Sequence, residues 1–289
     1  MRTRVVSAML GVELVDFDLA RPCSPDEQAE LRQLFCEHHL LLVRGDGVTP
    51  EDQTRFVGYF GPVHRVASGA QETYISNRED RALGTGTMRL LWHSDGTYGL
   101  RPGIATSLWA QEVSPDSSPT AFVNGVRVLD ELPPELRARI EPLHAFHLRD
   151  TQAEPTGRWR EEDIPVDAAP GRFAHHVHPI VYPMPHTDQH TLLVNEFLTS
   201  HVVELPRDES EALLQELFAH LYADENVYTH VWQNDEVILW DNLALQHNRP
   251  IDMGSGVRHL RRQSLDGWYA DDGVLDWTET ARAYVAPSG

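Results

Sequence analysis

The chain of 289 residues carries 24 basic side chains, all arginine, against 44 acidic ones, for a formal net charge of −20, and 41% of it is apolar. That much apolar sequence builds a substantial core, while the acidic field repels phosphate backbones and anionic lipid and so excludes nucleic acid and membrane surfaces as partners. The absence of lysine excludes Schiff-base chemistry, pyridoxal-phosphate attachment and a Walker A loop, all of which use the amine.

Nothing in the chain is apolar enough over eighteen residues to span a membrane. The apolar stretch from Val5 to Val15 is short, carries Glu13 and lacks a small-residue cleavage site, so no signal peptide is expected. Two cysteines, Cys23 and Cys36, in a chain this long fit a reduced, cytoplasmic protein.

In chain order, Leu10–Val15 reads as a strand. Ser24-Pro25-Asp26-Glu27 supplies an N-cap, a first-turn proline and a capping-box glutamate for a helix whose apolar face is Leu31, Leu34 and Phe35. His39–Val43 is a short strand, and Thr49-Pro50-Glu51-Asp52 opens a second helix that stops near Gly61-Pro62. From Tyr74 the pattern turns to short strands: Ile104–Ala110, Phe122–Val123, Thr191–Val194, Val227–Trp232 and, after the Asn234-Asp235 turn, Glu236–Trp240. Helical intervals fall at Glu135–Ile140 and Glu211–Tyr222. The reading is a mainly β chain with flanking helices (α+β) around a jelly-roll, or double-stranded β-helix, core. It spans residues 1–289 as one domain, with a lid or insert around 151–175.

The chemistry concentrates in Leu91-Trp92-His93-Ser94-Asp95. In an extended strand residues two apart share a side, so His93 and Asp95 converge on one point. His247, after Trp240-Asp241-Asn242, is the third candidate ligand. Two histidines and a carboxylate on one face of a metal leave three positions open, the facial triad of non-haem iron(II) oxygenases.

These residues, with Leu10-Gly11-Val12-Glu13-Leu14, Leu41–Gly45, Phe60-Gly61-Pro62-Val63-His64, Gly96-Thr97-Tyr98 and the arginine-rich Arg258–Arg262, give a sequence that resembles the taurine dioxygenase / 2,4-dichlorophenoxyacetate dioxygenase family through most of its length. The resemblance implies Fe(II), held by His93, Asp95 and His247, with 2-oxoglutarate and O₂ as cosubstrates. It also implies oxidation of a small organic substrate, with release of succinate and CO₂. The family's cosubstrate threonine falls on Thr120 and its cosubstrate arginine, about 15 residues after the distal histidine, on Arg262, with Arg258 at a second arginine position. A guanidinium fork suits the distal carboxylate of 2-oxoglutarate. Asp95 stands where related halogenases carry Gly or Ala, which favours hydroxylation or another oxidation over halogenation.

The remaining candidates concern substrate. His64 is expected to face the pocket and Asn77 to sit at its edge. Taurine-type members carry a sulfonate-binding histidine two residues beyond the position of His64; here it is Val66, which argues against taurine. Arg158, Arg160 and Arg172 lie in the presumed lid, and His175, His176 and His178 form a cluster read as structural rather than as a second metal site. Trp240 is expected to pack near the ligands. Two other classes compete: a metal-binding jelly-roll sensor without turnover, and a zinc hydrolase on the same triad. A homo-oligomer is compatible with the sequence.

Overall fold

The computed structural model describes residues 1–65, 69–78, 89–152, 159–251, 256–270 and 273–275. The N-terminal third begins with strands β1 (Thr3–Val5) and β2 (Val12–Leu14), followed by helix α1 (Pro25–His38), β3 (Leu40–Arg44), α2 (Pro50–Val57) and β4 (Thr73–Ser76). Both helices start as their sequences require. Ser24 and Glu27 form a reciprocal capping box on α1, Thr49 and Asp52 form one on α2, and a proline follows each cap.

Next come β5 (Leu90–His93), β6 (Ala105–Val113), β7 (Thr120–Asn124), α3 (Gly125–Glu131), α4 (Pro134–Ile140), β8 (His144–Asp150), β9 (Phe173–Pro179), β10 (Val181–Pro183), β11 (His190–Leu192) and β12 (Thr199–Val202). The chain continues through α5 (Arg207–Leu221), β13 (Tyr228–His230), β14 (Glu236–Asp241), β15 (Leu245–Arg249), β16 (Arg258–Ser264), β17 (Trp268–Ala270) and β18 (Gly273–Leu275). Each interval read as a strand or helix holds an element of that kind, although α2 ends earlier, at Val57, and the described residues add further elements, among them β1, α3, β8, β9, β12 and β16. The irregular stretch after β8 ends sooner than 175, because Phe173 already pairs with Asp150 in a β8–β9 ladder.

A seven-stranded sheet in the order β1-β2-β3-β14-β6-β16-β4 faces a four-stranded sheet in the order β13-β7-β15-β5. All pairs in both are antiparallel except β2–β3. The centre of the larger sheet reads as an unbroken apolar run because both of its faces are covered: Leu40, Leu41, Leu42 and Val43 of β3 and Val237–Trp240 of β14 are buried throughout. One side meets α1 through Leu31 and Phe35. On the other side Trp240 meets Phe122 of β7 edge-on, with ring centroids 5.5 Å apart. A second core, formed by α3, α4, α5 and their neighbouring strands, includes Leu129, Ile140, Leu213 and Leu217. Cys23 and Cys36 are unbridged. No helix among the described residues is long and apolar enough to cross a membrane.

Candidate active site

Between the two sheets lies a cavity of about 650 Å³ bordered by His93, Asp95, His247, Thr120, Arg258 and Arg262 among others. The histidines meet because β5 and β15 are antiparallel neighbours in which His93 and His247 are register partners, with ring centroids 4.3 Å apart. Asp95 arrives differently. The strand ends at His93, and the carboxylate is carried on the turn that follows, so strand alternation is not what aims it. Asn242 fixes that turn: its Oδ1 accepts from Asp95 N at 2.8 Å, and its Nδ2 donates to Asp95 O at 3.0 Å and to Gly103 O at 2.7 Å. One ligand atom from each of His93, Asp95 and His247 lies within 4.8 Å of the others, and no other group of three among the described residues does so.

The protonation states suit a metal. His93 Nδ1 donates to Leu91 O at 2.8 Å, which fixes the proton there and leaves the Nε2 lone pair facing Asp95 Oδ1 at 3.9 Å. Burial lowers the His93 pKa, and burial together with His93 pushes His247 down to about 3, so both rings are neutral at pH 7. Burial alone would raise Asp95, but Arg262 and the two histidines hold it well below the usual carboxylate range. Its Oδ2 accepts from Arg262 Nη2 at 2.7 Å and from Thr106 Oγ1 at 3.4 Å, leaving Oδ1 toward His93. Trp240 packs edge-on against His247 at 4.9 Å.

The arginines are sorted by the pleat of β16. Arg258 and Arg262 border the cavity, whereas Arg261 donates to Gln53 Oε1 at 2.7 Å. Thr120 and Arg262, expected to share one carboxylate, are hydrogen-bonded to different partners, Thr120 to Arg258 and Arg262 to Asp95. Four residues of strand span about 13 Å, and the hydroxyl lies opposite the Arg258 end: Arg258 Nη2 donates to Thr120 Oγ1 at 3.1 Å. Arg258 is only 2% exposed, and its Nη1 is buried without a partner. Burial, with Arg249 nearby, pushes its pKa down to about 9, an environment that an incoming anion would relieve. Trp232 Nε1 also donates to Thr120 Oγ1, at 3.0 Å. With both lone pairs of the hydroxyl engaged, its proton is free to go to an added acceptor.

His64 borders the cavity, and its Nδ1 lies 2.6 Å from Asp266 at an exposed position. Asn77 is not part of the wall. Its amide is consumed in holding β16, accepting from Arg258 N at 2.9 Å and donating to Gly256 O at 2.7 Å. Val66 and Arg158 lie outside the described residues. Arg172 forms a two-pronged ion pair with Asp150, and Arg160 lies 3.6 Å from Glu211. The His176 and His178 rings lie side by side at a tilt, with centroids 4.7 Å apart, and His178 Nε2 donates to Gly99 O. Trp232 and Thr106 carried no sequence motif that separated them from ordinary core polar groups.

A family model described as "Taurine catabolism dioxygenase TauD, TfdA family" matches residues 3–263. The chain is 27% identical to the alpha-ketoglutarate-dependent 2,4-dichlorophenoxyacetate dioxygenase of Cupriavidus pinatubonensis, over 92% of this chain and 95% of that protein. It is 25% identical to pentalenolactone F synthase of Streptomyces avermitilis, over 93% of this chain and 97% of that protein. Among solved structures, a taurine dioxygenase from Burkholderia xenovorans superposes with a TM-score of 0.74 at 27% identity, covering 94% of this chain and 93% of that one. The chain belongs to the TauD/TfdA family.

Proposed function

We propose that this 2-oxoglutarate-dependent dioxygenase of the TauD/TfdA family holds Fe(II) with His93, Asp95 and His247 and seats the distal carboxylate of 2-oxoglutarate on Arg258 and Thr120. With O₂ it oxidises a small organic substrate, most directly by hydroxylation. The facing seven- and four-stranded sheets are read as a double-stranded β-helix, with the site between them. One observation carries the assignment: the three ligand atoms within 4.8 Å share a cavity with a buried arginine that has a free N–H and a threonine bonded to it.

The donor set fits the group. Two neutral imidazoles and one ionised carboxylate match a divalent iron site with open positions. When bound, the metal and 2-oxoglutarate supply O₂ activation coupled to decarboxylation. The chain's own residues do the rest. The His93–Leu91 bond fixes the ring's tautomer and aim. Asn242 holds the turn that carries Asp95. Arg258 meets the distal carboxylate with its unpaired Nη1 while Thr120 donates its proton. Trp240 borders the cavity and packs its ring against His247 and Phe122, backing the ligand side with apolar surface. A zinc hydrolase would have no use for a buried arginine–threonine pair suited to a dicarboxylate cosubstrate.

Anaerobic addition of Fe(II) and 2-oxoglutarate, followed by the visible charge-transfer band of the chelate, tests the assignment. The band is expected in the wild type, absent in His93→Ala, and shifted to far higher 2-oxoglutarate in Arg258→Ala. A folded wild-type protein that binds a metal but gives no band would overturn the reading.

A further inference from the structure

Four arginines border the cavity, Arg149, Arg249, Arg258 and Arg262, and one of them, Arg149, is not needed to hold iron or 2-oxoglutarate. Arg149, on β8, borders the same cavity as the candidate ligands. Among the described residues its only hydrogen bond is neutral: Nη1 donates to the Tyr98 hydroxyl at 3.1 Å, with the guanidinium carbon 5.4 Å from the centre of the same ring. Its Nε is buried without an acceptor among the described residues. The neighbouring carboxylates are already engaged. Asp150 is held by Arg172, Asp95 by Arg262, and Asp266 by His64.

Tyr98 stands three residues beyond Asp95, on the same turn, and that turn is fastened from several sides. Gly99 O accepts from His178 Nε2 at 3.0 Å, and Thr97 Oγ1 accepts from Asn195 Nδ2 at 3.4 Å. Arg149 and Tyr98 border the same cavity as His93, Asp95 and His247, so the guanidinium and the phenol share that space with the candidate ligands. Since the Tyr98 oxygen accepts from Arg149, its proton is left for another acceptor. A half-buried guanidinium with only neutral partners is unfavourable in a cavity unless an anion joins it.

We infer that Arg149 and Tyr98 form a carboxylate-binding subsite for the organic substrate, distinct from the Arg258–Thr120 pair. The inference rests on the reading of the cavity as an Fe(II)/2-oxoglutarate site. The substrate is thus an organic acid, gripped at its carboxylate by the β8 wall so that its carbon skeleton extends toward the iron ligands. A planar fork and a phenol suit a carboxylate, and a neutral amide of the same shape would leave the cation uncompensated.

The test uses the protein loaded anaerobically with Fe(II) and 2-oxoglutarate, so that binding is read without turnover. Benzoate, phenylacetate, 3-phenylpropionate and 4-phenylbutyrate scan the spacing between carboxylate and ring, each beside its primary amide. At least one acid is expected to shift the chelate band, with its amide needing ten-fold more or failing. Arg149→Gln should weaken that acid by about 30-fold or more and leave the amide and 2-oxoglutarate titrations within about two-fold. Tyr98→Phe should weaken it by about five-fold, and Arg149→Lys should recover part of the loss, which shows that charge rather than folding is at stake. A normal band that no acid perturbs, acids and amides acting alike, or Arg149→Gln responding as wild type would each overturn the subsite. Loss of the band in the wild type would instead remove the cofactor reading, and this inference with it.

Discussion

The two sheets that line the cavity contribute opposite chemistry. The four-stranded sheet presents the imidazoles of His93 and His247 beside Arg249 at the end of β15, and the seven-stranded sheet presents the guanidiniums of Arg258 and Arg262 on β16. On the imidazole side burial works toward neutrality, lowering His93 and His247 so that lone pairs are available. On the guanidinium side burial acts against the charge, and Arg258 stays cationic at pH 7 with Thr120 and Ser118 O as its side-chain hydrogen-bond partners among the described residues. A metal needs deprotonated donors, which for histidine means the neutral ring, whereas a dicarboxylate needs permanent positive charge. The same burial that prepares one wall leaves the other waiting for an anion.

The largest expected effect breaks the imidazole wall. Asp95→Ala or His247→Ala should abolish the Fe(II)/2-oxoglutarate band and bring succinate formation to background, because two ligands do not complete a facial triad. Measurable turnover in both variants at ordinary iron concentrations would mean that the metal is held elsewhere.

Next comes the guanidinium wall, where the two arginines of β16 are set against each other. Arg258→Ala should raise the half-saturating 2-oxoglutarate concentration by about 30-fold or more, Thr120→Val by about five-fold, and Arg262→Ala by less than Arg258→Ala. If Arg262→Ala proves the more damaging for 2-oxoglutarate, the clamp belongs to Arg262 after all.

Asn242 joins the two walls, since it sits just after β14 of the larger sheet and holds the turn beyond β5 of the smaller one. Asn242→Ala should weaken Fe(II) binding by about 10–100-fold while leaving 2-oxoglutarate affinity of the metal-loaded protein nearly unchanged. An unaltered iron titration would show that the turn is held without it.

The smallest effect concerns stability away from the metal. His178 and His230 are buried and held down to about 4, chiefly by desolvation. Their folded pKa values lie below the ordinary value near 6.5, so the unfolded chain binds more protons between pH 4 and 6.5. Stability should therefore be full above pH 6.5 and fall as the pH drops toward 4, by roughly 3 kcal/mol per histidine at most. Thermal midpoints measured from pH 7.5 to 5 check the sign, and His230→Asn should flatten part of the slope.

How much of this was legible in the sequence varies by residue. The caps of α1 and α2 were readable because they depend on side chains three residues apart. The short strands were readable from turns and alternation, and the three ligand types from their chemistry and their place in the family pattern. Asn77 could not be placed from sequence, because a loop asparagine gives no sign of whether its amide faces a cavity or a neighbouring backbone; here it holds β16.

The sequence by itself determined which groups are available: imidazoles and a carboxylate for a metal, arginines for anions, and no lysine for amine chemistry. It also determined the local elements, whose hydrogen bonds close within a few residues. Only the tertiary structure decided which arginine meets Thr120, since that depends on how β16 lies across from β7 and on a pleat that sends Arg261 the other way. It alone brought Arg149 to Tyr98, 51 residues apart in the chain, and it alone set the charge states of the buried histidines. Register and burial are properties of long-range pairing, and no short window of sequence contains them.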